Sequence, residues 1–133
     1  MEFKKVTILK RNKPKEVLSL IKHEKRVRTL RNKLDKYHAY DLSEALKMMD
    51  TEERQNFYRY VKREKLAVVF EHLSEELAAE LIFEIDKIEA AKILELMEPD
   101  DAIDILQELN EDDALSFTVL MDDSKREYLR RLA

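Results

Sequence analysis

Asp100 and Asp104 are the residues of this chain best spaced to do chemistry. Their i, i+4 separation sets two carboxylates one above the other on a single helix face, where they repel each other if unpaired. A hard divalent cation relieves that repulsion. Mg²⁺ in particular is usually held by only one or two protein carboxylates while it keeps several waters. The spacing taken alone is unspecific, because acidic helix faces are common and the positive end of a helix disfavours a nearby cation. Further carboxylates gather at Glu75/Glu76, Glu98/Asp100/Asp101, Glu111/Asp112/Asp113 and Asp122/Asp123, all at expected helix starts. A favourable interaction with the helix dipole accounts for every one of them without a ligand.

Other chemistries are poorly served. The chain has no cysteine, which excludes disulfides and thiolate chemistry and gives no sign of an oxidising compartment. It has no glycine either, so the Gly-rich phosphate loops, the dinucleotide fingerprint and the nucleophile elbow are all missing. His23, His38 and His72 lie far apart and form no i, i+4 ligand pair; each reads as a surface or packing residue. Two carboxylates alone can do the acid/base work of glycoside hydrolysis, but a stack of short helices is expected to offer no obvious pocket. The chain therefore reads as a non-enzyme.

The elements that position the aspartates are set by a twelve-residue repeat. The quartets Leu66/Val69/Phe70/Leu73, Ala78/Leu81/Ile82/Ile85, Ala90/Ile93/Leu94/Met97 and Ala102/Ile105/Leu106/Leu109 follow one another without insertion. Each has i, i+3, i+4, i+7 spacing, which is one stripe of an amphipathic α-helix. The phase extends to Leu42/Ala45/Leu46/Met49 and Ala114/Phe117/Thr118/Met121, with degraded copies at Arg54/Phe57/Tyr58/Val61 and Arg126/Leu129/Arg130/Ala133.

Twelve residues allow a helix of about ten, roughly 15 Å long, and a two-residue corner. No helix so short is stable alone in water, so neighbours must bury each stripe. The expected architecture is all-α, a solenoid of stacked short helices. Asp50, Ser74, Asp86, Asn110 and Asp122 fall at the corners as N-caps. Pro99 follows the weaker cap Glu98 at the first helical position, where a missing N–H costs nothing, so this unit runs from Pro99 to about Leu109.

The net charge of −4 hides a strong division. Residues 1–36 carry 13 Lys/Arg against 4 Asp/Glu, whereas residues 37–133 carry 12 against 25. From Glu71 to Asp123 there are 18 acidic residues and only Lys87 and Lys92 to answer them, a surface that repels nucleic acid and attracts cations. The basic opening has two readings: a patch for anionic lipid head groups or nucleic acid, or a solvated leader followed by a helix whose cations face the acidic body. The second is favoured. Residues 1–14 are assigned to the leader, with Val6 to Leu9 either a short strand or disordered, and residues 15–133 to the helical repeat domain. Pro14 marks a break before the apolar turn Val17/Leu18/Ile21, and Arg26 to Lys36 forms a second basic helix. The longest apolar run, Leu66 to Phe70, is far short of the roughly 20 residues of a membrane span, and no apolar signal segment opens the chain. The chain is cytoplasmic in character.

Two stretches carry a family resemblance. His38-Ala39-Tyr40-Asp41-Leu42-Ser43-Glu44-Ala45-Leu46 and Glu98-Pro99-Asp100-Asp101-Ala102-Ile103-Asp104-Ile105-Leu106, in this order and in unbroken phase, make the chain from Tyr37 to Ala133 resemble the intracellular N-terminal domain of MgtE-type magnesium transporters. The resemblance implies a right-handed superhelix, joined in full-length members to CBS domains and a transmembrane pore. It also implies Mg²⁺ sensing, in which ions held between the N domain and the CBS domains lock a closed state and their loss releases it. Homodimers formed through the full-length protein are compatible with that arrangement. Asp100 and Asp104 match the family's two sensor aspartates in its DDxxD motif, whereas a further family glutamate falls on Val68, which puts one interfacial ion site in doubt. The family's tyrosine-proline linker does not appear before Ala133, which reads as either an excised domain or a stand-alone relative.

The competing reading is a non-enzymatic interaction scaffold, because a solenoid offers an extended surface and the flagellar motor protein FliG has related helical repeats. Its mark is apolar residues exposed off the stripes. Tyr58 and Tyr60, beside Phe57, are the one such cluster in the sequence, and they read more simply as the cap of a core edge.

Overall fold

The computed structural model of the protein describes residues 11–133; the strand-or-disorder expectation for Val6 to Leu9 lies outside them. Among the described residues there are ten α-helices and no strand. They are α1 (Lys13–His23), α2 (Val27–Leu34), α3 (Ala39–Leu46), α4 (Thr51–Tyr60), α5 (Arg63–Glu71), α6 (Glu75–Leu81), α7 (Lys87–Leu96), α8 (Pro99–Glu108), α9 (Glu111–Thr118) and α10 (Asp123–Leu132). A 3₁₀ turn, Ile82–Glu84, continues α6. The first helix departs from expectation: Pro14 lies within its first turn instead of marking a break, and Asn12 caps it by accepting from the Lys15 N–H. Proline fits there because a first-turn N–H has no intrahelical partner to lose.

From α3 onward the caps are His38, Asp50, Lys62, Ser74, Asp86, Glu98, Asn110 and Asp122. Asp50, Ser74, Asp86 and Asn110 each accept a backbone N–H from the first turn, and Asp50 forms a full capping box with Glu53; a cap of this kind stabilises by about 1 kcal/mol. Asp122 does not, contrary to expectation, because its Oδ2 accepts from the Ser124 hydroxyl instead. Two of the helices without a side-chain cap, α8 and α10, are held by a different device. Glu71 accepts the Glu98 N–H at 2.7 Å and Glu95 accepts the Asp122 N–H at 3.4 Å, each glutamate reaching from a helix earlier in the chain. No described residue has a positive φ, so these corners need no glycine, and the chain supplies none.

Helices pack mainly on their second neighbours. α1 lies on α3, α3 on α5, α5 on α7 and α7 on α9, while α2 lies on α4, α6 on α8 and α8 on α10. The stripes fill the space between: Leu42, Ala45, Leu46, Phe57, Val69, Ala78, Ile82, Ala90, Ile93, Leu94 and Ala102 are fully buried. Burying a Leu, Ile or Phe side chain contributes about 1.5–3 kcal/mol, which is what holds helices too short to persist alone. The stripes loosen towards the end of the chain. Leu106, Leu109 and Ala114 are only half-buried, and Arg130 and Ala133 are exposed.

α4 joins the chain's two halves by polar contacts. Arg54 is clamped on Glu84, with Nε and Nη2 donating at 2.8 and 2.7 Å, and the Tyr58 hydroxyl donates to the same carboxylate at 2.7 Å. Tyr58 and Tyr60 are half-buried against the core. They are not the chain's main off-stripe apolar surface, since Phe83, Ile88, Leu96, Leu115, Val119 and Leu120 are all exposed.

Candidate functional site: an acidic seam between α6 and α8

α8 starts at Pro99, and its buried Ala102 and Ile105 fix which way it faces. Asp100 and Asp101 therefore stand in the first turn and Asp104 one turn on; Asp100 is exposed and Asp104 half-exposed. Beside it α6 begins at Glu75 on its Ser74 cap, and the packing of these two helices brings Glu75 to Asp104. The Asp104 charge is the largest cause of a Glu75 pKa above the ordinary carboxylate value, with burial second. Asp101 is raised as well, chiefly by burial, then by Asp104 and by its neighbours Glu98 and Asp100. Asp104 is thus felt on both sides of the seam, and among the described residues no cation pairs with it, with Asp100 or with Glu75.

Asp104 and Glu75 are brought together across two helices, whereas Asp100 and Asp104 remain stacked on one. Among the described residues no group of three or more His, Asp or Glu is arranged to hold a metal ion by itself. Glu75 is legible in the sequence as a first-turn acid but not as a partner of Asp104. The signal that finds it is the packing of every second helix, which lays α6 along α8. Val68 is 40% exposed on α5, so the position matched to a family glutamate faces outward here with an apolar side chain.

Of the 18 acidic residues from Glu71 to Asp123, Glu84, Glu89 and Asp123 have ion-pair partners, in Arg54, Arg63 and Arg126. Among the described residues the basic opening meets the acidic body only at its near end, through Lys22 and Glu53. From α1 and α2 the ion pairs to later helices are Lys22 with Glu53 at 3.8 Å and, just beyond α2, Asp35 with Lys62 at 3.3 Å; no described pair reaches the 71–123 stretch. The cause is topological, since α1 and α2 pack on each other and on α3 and α4.

The expectation of a surface without pockets fails. A cleft of about 680 Å³ lies among α1, α2 and the start of α3, and a second of about 610 Å³ lies between Tyr40, Lys65, Val68 and His72. Neither includes Asp100 or Asp104.

Among the described residues no helix is long and apolar enough to cross a membrane. None of the curated proteins matches the sequence. The fold is similar to that of the soluble part of a magnesium transporter, with a TM-score of 0.79 at 20% identity. That similarity covers 90% of this chain and 47% of the other, so this chain spans about half the length of its structural relative. Residues 37–133 match the family described as the MgtE intracellular N domain, and the chain belongs to that family.

Proposed function

We propose that this chain is a Mg²⁺-sensing regulatory domain of a magnesium transporter, acting at the cytoplasmic face of the membrane by Mg²⁺-dependent docking on neighbouring CBS domains. In this reading the helices form a right-handed superhelix that moves as one lever against the rest of the transporter. Packing on every second helix and the regular march of caps support the lever.

The observation that carries the proposal is the uncompensated approach of Glu75 and Asp104 across the α6–α8 seam, next to Asp100. The donors are oxygen only, and they lie at a solvated surface, which suits a cation that keeps its waters. With no three-ligand cage among the described residues, Asp100 and Asp104 hold one side of a shell that water and a partner surface complete. What these residues do is supply repulsion. Without a counter-ion the acidic face repels another acidic face; with one, the two surfaces close, so ion concentration sets the domain equilibrium.

The test is a Mg²⁺ titration followed by NMR, on residues 1–133 and on a longer polypeptide that carries the CBS region. Binding to the short chain is expected in the millimolar range, as for sites with an incomplete shell. Binding to the longer one should be tighter and should be weakened by Asp104→Asn. Absence of any Mg²⁺-dependent shift in the longer polypeptide sinks the proposal.

A further inference from the structure

The cleft among α1, α2 and the start of α3 has no part in the acidic seam, and its chemistry is the opposite. Among the described residues two carboxylates line it, and both are already engaged. Glu16 takes Arg11 Nε at 2.9 Å and the Tyr37 hydroxyl at 2.8 Å, and the Arg11 hydrogen bond holds its pKa down at about 2. Glu24 takes Arg26 Nε at 3.0 Å and is likewise lowered, first by that bond. Lys13 and Lys36 also line the cleft, and among the described residues neither has an ion-pair partner. His23 and His38 stand on the same walls, and each imidazole carries at least one N–H donor. Leu20 and Tyr37 add an apolar floor.

A concave site of this size, partly apolar with a few convergent donors, is the form of a small-ligand pocket, for which volumes of about 300–1,000 Å³ are usual. Two lysines held on one cleft repel each other, and an anion between them relieves this. We infer that this cleft binds a phosphate group, carried either by a soluble phosphorylated molecule or by a lipid head group, with Lys13 and Lys36 as its cations and His23 and His38 as further donors. The inference is independent of Mg²⁺ sensing, since it uses none of the residues of the acidic seam.

The experiment uses the full 133-residue chain. One arm titrates inorganic pyrophosphate by calorimetry. The other measures co-sedimentation with phosphatidylcholine vesicles, with and without phosphatidic acid. Lys13→Glu/Lys36→Glu is compared with Lys92→Glu/Lys125→Glu, which changes net charge equally but lies outside the cleft. Lys13→Gln/Lys36→Gln is the milder form if the reversal unfolds the chain. The expected result is saturable binding in at least one arm, reduced roughly tenfold or more by the cleft pair and little by the control pair, since each lost charged contact costs about one decade. Pyrophosphate binding alone identifies a soluble ligand; binding to acidic vesicles alone identifies a head group. No saturable binding in either arm overturns the inference, as does an equal loss in the control pair, which marks a net-charge effect.

Discussion

The two ends of this molecule treat carboxylates in opposite ways. In the basic end, Glu16 and Glu24 are each gripped by an arginine and hold their protons more weakly than usual. In the seam between α6 and α8, Glu75 and Asp101 have other carboxylates for neighbours and hold their protons more strongly. The first end is locally neutralised, so its spare cations are left for a ligand. The second carries unrelieved repulsion, which is the state a cation or a partner can change. Because α1 and α2 pack on α3 and α4, the two charge sets do not cancel each other, and the small net charge conceals two separate electrostatic surfaces.

The comparison depends on the two regions being held in one body, and α4 is where it breaks most easily. Phe57, fully buried in the joint, should cost about 3–5 kcal/mol when cut to alanine, because the site loses both transfer energy and packing. Urea unfolding should show that loss, and a separate early transition for the first helices would reveal how independently the basic end folds. Arg54→Ala is the next largest: it strips the half-buried Glu84 of its cation and leaves Tyr58 as that carboxylate's remaining side-chain donor. About 1–3 kcal/mol is expected from the same measurement.

The acidic side of the comparison is sharpened by Asp104→Asn. Removing the charge relieves Glu75, so the melting temperature at neutral pH should rise slightly without Mg²⁺, while any gain from Mg²⁺ should shrink. A fall in melting temperature would show that the Asp104 carboxylate makes a stabilising contact that outweighs the repulsion from its acidic neighbours.

The smallest effect is the pH profile. Glu75 and Asp101 have folded pKa values raised above their unfolded ones, so their contribution favours the folded state at low pH and is lost as pH rises through the raised values. Glu16 and Glu24 are lowered, so theirs is present above the ordinary carboxylate value and lost as pH falls towards about 2 for Glu16. Thermal melts should therefore show stability falling below about pH 4. Glu16→Gln should make that fall shallower, and Asp104→Asn, by removing the charge that raises Glu75, should make it steeper.

Much of the fold is legible in the residues. The stripe Ala90/Ile93/Leu94/Met97 is buried throughout, because helical spacing of apolar side chains admits one inward face. Asp50, Ser74, Asp86 and Asn110 were readable as caps for an equally local reason: a short side-chain oxygen reaches an N–H three residues on. The candidate site was legible only in part, since Asp100 and Asp104 follow from a spacing within one helix whereas Glu75 belongs to another.

The sequence by itself determined the short amphipathic helices, where most of them begin, and the separation of basic from acidic residues along the chain, because all of these are set by neighbours within a dozen positions. Tertiary packing decided the rest. By laying each helix on its second neighbour it placed Glu75 against Asp104, sent Glu71 and Glu95 to close the starts of α8 and α10, and left the cations of α1 and α2 lining a cleft instead of covering the acids. Charge can be counted along a chain, but whether two charges meet depends on which helices lie side by side, and that is settled only when the stripes are buried together.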